Sequence, residues 1–226
     1  MNIIESPTQI KDSMEIPITA CIIAQDEERY IERAIKNVKP HVSKIIIVDG
    51  GSKDKTKDIA RDNGCLIYDR AFDFDFSAQR NFAASHAQTP WILWLDADEY
   101  FSQEFFYILP ALVMNVPEKC SAYHVYRISI FDKEVKGTDF QWRLMLKDHT
   151  RWAGKIHEGI QFLNDTHGLK VPQQYPMIHD HSMARQLFNN KLYQNINEGN
   201  LARPKDDEGT EYHGDKWIDV KTERNK

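Results

Sequence analysis

Through the first hundred positions, short unbroken apolar runs alternate with stretches in which apolar residues recur every three or four places. Ile18 to Ala24 and Lys44 to Val48 (KIIIV) are such runs, the pattern of strands buried on both sides in a parallel sheet. Between them Ile31, Ala34, Ile35 and Val38 keep helical spacing, and Pro40 ends that helix. After Asp49, Gly50-Gly51-Ser52 predicts a turn, with Ser52 capping a helix through about Arg61 that Asn63-Gly64 closes. Cys65 to Tyr68 is then a third short strand, and Ser77 caps a helix over Ala78 to Ala87. Trp91 to Leu95 (WILWL) is a fourth strand, running into Asp96-Ala97-Asp98-Glu99. This alternation predicts an α/β fold, a doubly wound and mostly parallel sheet with right-handed crossovers. Such sheets bind ligands beyond the carboxyl ends of their strands, where Asp49, Asp96 and Asp98 stand.

The second half has a different pattern. Ser102 to Asn115 reads as a helix, and Ser121 to Ile130 and Thr138 to Lys147 as longer, imperfectly alternating strands. They predict an antiparallel extension of the sheet carrying the acceptor side of a site. The expected organisation is a flexible arm over 1–16, one domain over 17–197, and a polar tail or lid over 198–226. Within the domain, 17–100 is the nucleotide-binding half and 101–197 the acceptor-side half. In the tail only Leu201, Tyr212, Trp217 and Ile218 offer apolar anchors.

Charge narrows the class of partner. Lys and Arg number 29 against 34 Asp and Glu, a formal net charge of −5, which gives no strong nucleic-acid signal. Cys21, Cys65 and Cys120 are scattered and odd in number, so they read as reduced core thiols, not as a disulfide frame or zinc site. The opening MNIIESPTQIKDSME is acidic and polar, unlike a signal peptide, and the longest apolar runs fall short of the ~20 residues of a membrane helix. No transmembrane segment is expected. The expected location is cytoplasmic, with a peripheral position at a membrane left open.

Asp96-x-Asp98 is the first chemical candidate. Alternate residues of an extended segment point the same way, so both carboxylates can face one site beyond the strand. Hard oxygen ligands there suit Mg²⁺ or Mn²⁺ shared with substrate phosphates. The competing reading is a solvated turn; an EF-hand is excluded because DADEYFSQEFFY lacks the loop glycine and the late Glu. Asp49 ends a buried strand before two glycines and a helix start, placed either to bond a base or ribose or to make a simple Asp-Gly turn. His157-Glu158-Gly159 is the candidate acid–base element, with a surface turn as its rival. His157 could ligate metal or touch phosphate, or be structural. His179 and His181, two apart, could line the same groove.

Ile18-Thr-Ala-Cys-Ile-Ile-Ala-Gln-Asp-Glu-Glu, IIIVDGGSKDKT and SAQRNFAASHAQTPWILWLDADE follow one another in the order and spacing of family 2 glycosyltransferases of the GT-A type. The chain resembles most the lipopolysaccharide-core glucosyltransferase branch, whose later Arg-Leu and His-Glu segments are similar to Arg143-Leu144 and His157-Glu158. The resemblance covers roughly residues 17–160 and is specific as a set. It implies that Asp49 contacts the nucleobase, Asp96 the ribose or metal, and Asp98 the metal bridging the diphosphate. It places Glu27 toward the nucleoside and Arg80 near the base or phosphates. Two positions depart from the commoner family spelling: Gly50 stands for a second Asp and Asp26 for an Asn.

The function implied is an inverting, divalent-metal-dependent, hexosyltransferase-like enzyme. It moves one sugar from a nucleotide diphosphate donor, a UDP-sugar being expected, to a glycan or other hydroxyl, with Glu158 as base. Gln141-Trp142-Arg143 lacks the spacing of the processive Q-x-x-R-W signature, so transfer is expected to be non-processive. The rivals are a nucleotidyltransferase on a similar sheet, which wants a basic glycine-rich loop where this chain has QDEE, and a non-catalytic sugar- or nucleotide-binding module.

Overall fold

The computed structural model describes residues 17–205 and two further strands, Glu211–His213 and Lys216–Ile218. The expected arm over 1–16 and much of the expected tail lie outside the described residues. The four apolar runs form β1 (Ile18–Ala24), β2 (Lys44–Asp49), β3 (Leu66–Asp69) and β4 (Trp91–Asp96), with α1 (Ile31–Val38), α2 (Thr56–Asp62) and α3 (Phe76–His86) between them. All four strands are parallel, in the order β3-β2-β1-β4. Ile18, Ala20 and Ile22 join one core and Cys21 the other, and Ile45 and Ile47 are likewise separated from Ile46 and Val48. A run without a polar phase is what a strand covered on both faces requires. The first core takes the apolar face of α1 (Ile31, Ala34, Ile35, Val38), and the second takes Ala83 of α3.

The chain then makes β5 (Glu99–Phe101) and α4 (Gln103–Met114), whose N-cap Ser102 accepts a bond from the Phe105 amide at 3.3 Å. The long hairpin β6 (Cys120–Phe131) and β7 (Glu134–Leu146) follows; β6 exceeds its predicted strand at both ends, and β7 begins earlier than predicted and ends at Leu146, not Lys147. β7 runs antiparallel to β4 and to β6. Short strands β8 (Thr150–Ala153) and β9 (Gly159–Phe162) pair with each other, and β10 (His167–Lys170) lies parallel to β6. β11 (Met177–His181) joins β6 in parallel and β5 antiparallel. The sheet is therefore mostly parallel, with an extension built on the antiparallel β4-β7-β6 run. Last comes α5 (Met183–Asn197), whose Phe188, Leu192 and Ile196 pack with Phe72, Phe74 and Phe76 in a small third cluster.

Two predicted caps are corrected. Helix α3 is capped by Asp75, which accepts from the Ala78 amide at 2.8 Å, while Ser77 is inside the first turn and donates to the same carboxylate at 2.9 Å. A carboxylate at the helix start outcompetes a hydroxyl two residues later because it also answers the helix dipole. Helix α2 begins at Thr56, and Ser52 instead accepts from the Asp26 amide at 2.9 Å, tying the turns after β1 and β2 together.

Candidate active site

Parallel register brings the strand ends to one edge: Ala24 stands opposite Asp49, and Ile23 opposite Asp96. Beyond that edge lies a cavity of about 580 Å³, walled by the strand ends, by β6 and β7, and by α5. Asp49 precedes the cavity-lining Gly50 and is itself fully buried, outside the lining. Its Oδ2 accepts from the amides of Gly51 and Ser52, each at 2.9 Å, with Lys57 Nζ at 4.0 Å. Its Oδ1 is buried with no hydrogen-bond partner among the described residues, an acceptor that a base or ribose donor would satisfy. Gly50 lines the cavity, and a Cβ there would stand 3.2 Å from Gln25 Cβ and 3.3 Å from Phe72 Cβ. A side chain in place of Gly50 would press on both Gln25 and Phe72, which would have to give by a few tenths of an ångström.

Asp26 takes φ 58°, a left-handed conformation that Asp and Asn both tolerate. Its carboxylate accepts from the Lys53 amide at 2.7 Å and from Arg203 at 2.8 Å. Glu27 is buried, its amide bonds Thr56 Oγ1 at 2.7 Å, and its carboxylate pairs with Arg185 of α5. Asp26 and Glu27 are therefore engaged by the segment that covers the cavity.

Arg80 reaches up from α3 and is buried. It donates from Nη2 to Asp96 Oδ1 and from Nε to Glu158 Oε1, both at 2.7 Å, with its guanidinium 4.9 Å from the Trp152 ring. Burial disfavours its charge, but Asp96 and Glu158 outweigh that and hold its pKa above the ordinary value. Asp96 is bonded on its other oxygen by Arg143 Nη2 at 3.1 Å. Burial pushes the Asp96 carboxyl up, and the two guanidinium groups more than reverse it, leaving its pKa well below the usual carboxylate range.

Asp98, two residues on, has imidazole neighbours instead. His179 Nε2 lies 3.3 Å from Asp98 Oδ2, and ligand atoms of Asp98, His179 and His181 all fall within 4.8 Å of one another. His181 Nδ1 lies 2.8 Å from the Ser182 carbonyl, the bond that turns Nε2 into the nitrogen with a lone pair to give. Burial works against a charged His179, yet the Asp98 carboxylate raises its pKa overall. The antiparallel register of β11 with β5, His179 opposite Glu99, sets this cluster against the end of β4. His157 borders the same cavity but lies outside this cluster: it is exposed at φ 49°, with its ring 5.1 Å from Tyr193 of α5. Asp180, between the two histidines, faces α1 and accepts from Arg33 at 2.6 Å.

The other wall is aromatic. His124 and Trp142 have ring centroids 3.3 Å apart, and burial, with Lys170 adding to it, lowers the His124 pKa to about 4. A Cβ on Gly168 would meet the Trp142 ring at 2.3 Å, so β10 must carry glycine there for Trp142 to keep its place. Arg127 and Arg143 complete this wall. Sequence reasoning did not single out Arg127, Arg185 or Tyr193, and quoted Arg143 and Glu99 without giving them a role. For α5 a signal existed: Phe188, Leu192 and Ile196 recur four apart after the capping Ser182.

The family model described as Glycosyl transferase family 2 matches residues 19–170. An uncharacterized glycosyltransferase of Rickettsia bellii is 39% identical over 87 residues, 38% of this chain and 29% of that protein. The SPbeta prophage-derived glycosyltransferase SunS of Bacillus subtilis is 31% identical over 160 residues, 67% of this chain and 36% of that protein. A TPR repeat-containing protein of Synechococcus elongatus is 40% identical over 82 residues, 36% of this chain and 20% of that protein. The match thus spans between 20% and 36% of these relatives' own length. Among solved structures, glucosyl-3-phosphoglycerate synthase from Mycobacterium tuberculosis, in complex with Mn²⁺, uridine diphosphate and glucosyl-3-phosphoglycerate, is 18% identical. It has a TM-score of 0.39, over 50% of this chain and 43% of that one.

Proposed function

The chain belongs to glycosyl transferase family 2, with a GT-A-like α/β fold, and on that premise we propose that it is an inverting, metal-dependent enzyme that adds one sugar to an acceptor hydroxyl. The observation that carries this reading is the division of labour within Asp96-Ala97-Asp98. Asp96 is gripped by two arginines, and Asp98 faces two histidines, at the mouth of one cavity.

Asp98, His179 and His181 are the residues that would hold the cation. One carboxylate and two imidazoles fit Mn²⁺ better than Mg²⁺, which prefers an all-oxygen shell. When bound, the cation offsets charge on the departing diphosphate. The chain's own residues do the rest. Asp49 Oδ1 accepts from the nucleobase, for which a UDP-sugar is the preferred donor. A carboxylate has about four acceptor sites, so Asp96 can still take a ribose hydroxyl with both arginines in place. The acceptor oxygen attacks the anomeric carbon as the bond to the diphosphate oxygen breaks, and its proton passes to Glu158. Arg80 bonds Glu158 Oε1, which directs the proton to Oε2. The segments Arg143-Leu144 and His157-Glu158 favour a hexose donor and a glycan acceptor, as in the lipopolysaccharide-core branch.

The reading is tested by nucleoside diphosphate release from a panel of nucleotide sugars. Release should require Mn²⁺ or Mg²⁺, cease on chelation, and be lost in a folded Asp98→Asn variant. Undiminished turnover after exhaustive chelation would remove the metal from the mechanism.

A further inference from the structure

Asp96 makes its contacts to the donor only if something fixes it, and two buried residues grip it from below. Glu99 is fully buried and Arg143 is 2% exposed. Glu99 Oε1 accepts from Arg143 Nη2 at 2.6 Å, and Oε2 accepts from Arg143 Nε at 2.9 Å, a bidentate pair. The same Oε2 accepts from the Asp96 backbone amide at 3.0 Å, while Arg143 Nη2 continues to Asp96 Oδ2 at 3.1 Å. Glu99 therefore holds the main chain of Asp96 directly and its side chain through Arg143. Three strands meet here, β4 with Asp96, β5 with Glu99 and β7 with Arg143.

Stability alone gives no reason for such a pair. Removing two charges from water costs several kcal/mol per ion, and apolar residues of equal volume often serve a core as well or better. What apolar residues cannot do is aim a carboxylate. We propose that the Glu99–Arg143 pair is a positioning unit that holds Asp96 in the orientation needed to receive the donor ribose; the proposal rests on the glycosyl-transfer reading of this site. Arg127 extends the unit, bonding Glu99 Oε1 at 3.4 Å and both oxygens of Asp139 at 2.9 and 2.7 Å. A row of alternating charges thereby links the donor carboxylate to the hairpin that forms the acceptor wall.

The test is calorimetric titration, in Mn²⁺, of whichever of UDP, GDP, CDP and dTDP binds the wild-type chain tightest, with melting temperatures measured alongside. Glu99→Gln leaves Arg143 with a single carboxylate partner, and should melt earlier and bind the nucleotide roughly 10–100-fold more weakly. Glu99→Gln with Arg143→Met also removes the buried guanidinium that has lost its bidentate partner, so melting should recover toward wild type while affinity stays low. Arg143→Lys gives a milder second variant, because a lysine keeps the charge but loses the planar fork that spans both carboxylates. It should fold and still bind weakly. Affinity within about twofold of wild type in either folded variant, double or lysine, would overturn the positioning role and leave a merely structural pair. A wild-type chain that binds none of the four nucleotides would overturn the glycosyl-transfer reading, and the positioning role with it.

Discussion

The two halves of the sheet bring opposite charges to one cavity. The parallel strands contribute the acids Glu27, Asp49, Asp96 and Asp98 at or just after their ends, and Glu99 follows directly at the start of β5. The later strands and α5 contribute most of the partners: Arg143 for Asp96 and Glu99, His179 for Asp98, and Arg185 for Glu27. Other exchanges run the opposite way, Arg80 of the parallel half against Glu158 of the second and Arg33 of α1 against Asp180 of β11. Asp96 keeps Arg80 within the parallel half, but Glu99, Asp98 and Glu27 are buried against partners that only the second half supplies, and a buried charge that loses its partner is costly. The site is thus a property of the joint between the halves. Substitutions that cut across the joint should act on stability and function together, and substitutions within one half should act on function first.

The largest effect is expected at Arg80, whose guanidinium joins both halves. Arg80→Met leaves Glu158 without its arginine and Asp96 with only one, and removal of one partner from a buried pair costs about 3–5 kcal/mol. Urea unfolding would show this as a lower midpoint at constant slope. A loss under about 1 kcal/mol would mean that packing, not charge, joins the halves.

Glu158→Gln sharpens the comparison, because glutamine keeps an oxygen for Arg80 but loses the charge and the ability to take a proton. Turnover should fall by about 10²–10⁴ with nucleotide affinity unchanged. If affinity falls instead, Glu158 belongs to the phosphate or metal shell; wild-type turnover would exclude it as the base.

Asp49→Asn, inside the parallel half, keeps an oxygen for the Gly51 and Ser52 amides and removes the charge proposed to meet the base. Nucleoside diphosphate binding should weaken roughly tenfold, with little change in melting temperature. An unchanged dissociation constant in calorimetry would place the base elsewhere.

The smallest effect is one of pH. The His179 pKa is raised above the ordinary imidazole value of ~6.5, so at neutral pH the ring is protonated more often than a free histidine. A cation must displace that proton, so Mn²⁺ affinity should rise with pH, by up to about tenfold per unit below the raised pKa. In the absence of metal the sign is opposite. The His179–Asp98 pair adds stability that is full below the ordinary imidazole value and is lost as pH rises through the raised one. Mn²⁺ affinity that is flat between about pH 6 and 8 would take His179 out of the ligand set.

The same division explains what the sequence made legible. Ile18–Ala24 and Trp91–Asp96 announce themselves because strands covered on both faces need no polar phase, and the carboxylates follow them directly in the chain. Ser77 and Ser52 do not cap the helices expected of them because several polar side chains crowd each turn, and local competition or a tertiary partner decides which one caps. His179 and His181 were visible as a pair, but their placement beside Asp98 depends on β11 crossing to β5, a long-range register with no local signature. Glu99 and Arg143 were quoted as parts of motifs without a role, since nothing in a single strand shows that two residues 44 apart in the chain share two hydrogen bonds.

The central claim is that the D-x-D turn and the β11 histidines make one metal-dependent donor site. The most direct measurement is calorimetric titration of UDP into the wild-type chain with Mn²⁺, into the same chain after chelation, and into Asp98→Asn with Mn²⁺. The account predicts clear binding in the first case and at least about tenfold weaker binding in the other two. Equal affinity in all three would contradict it.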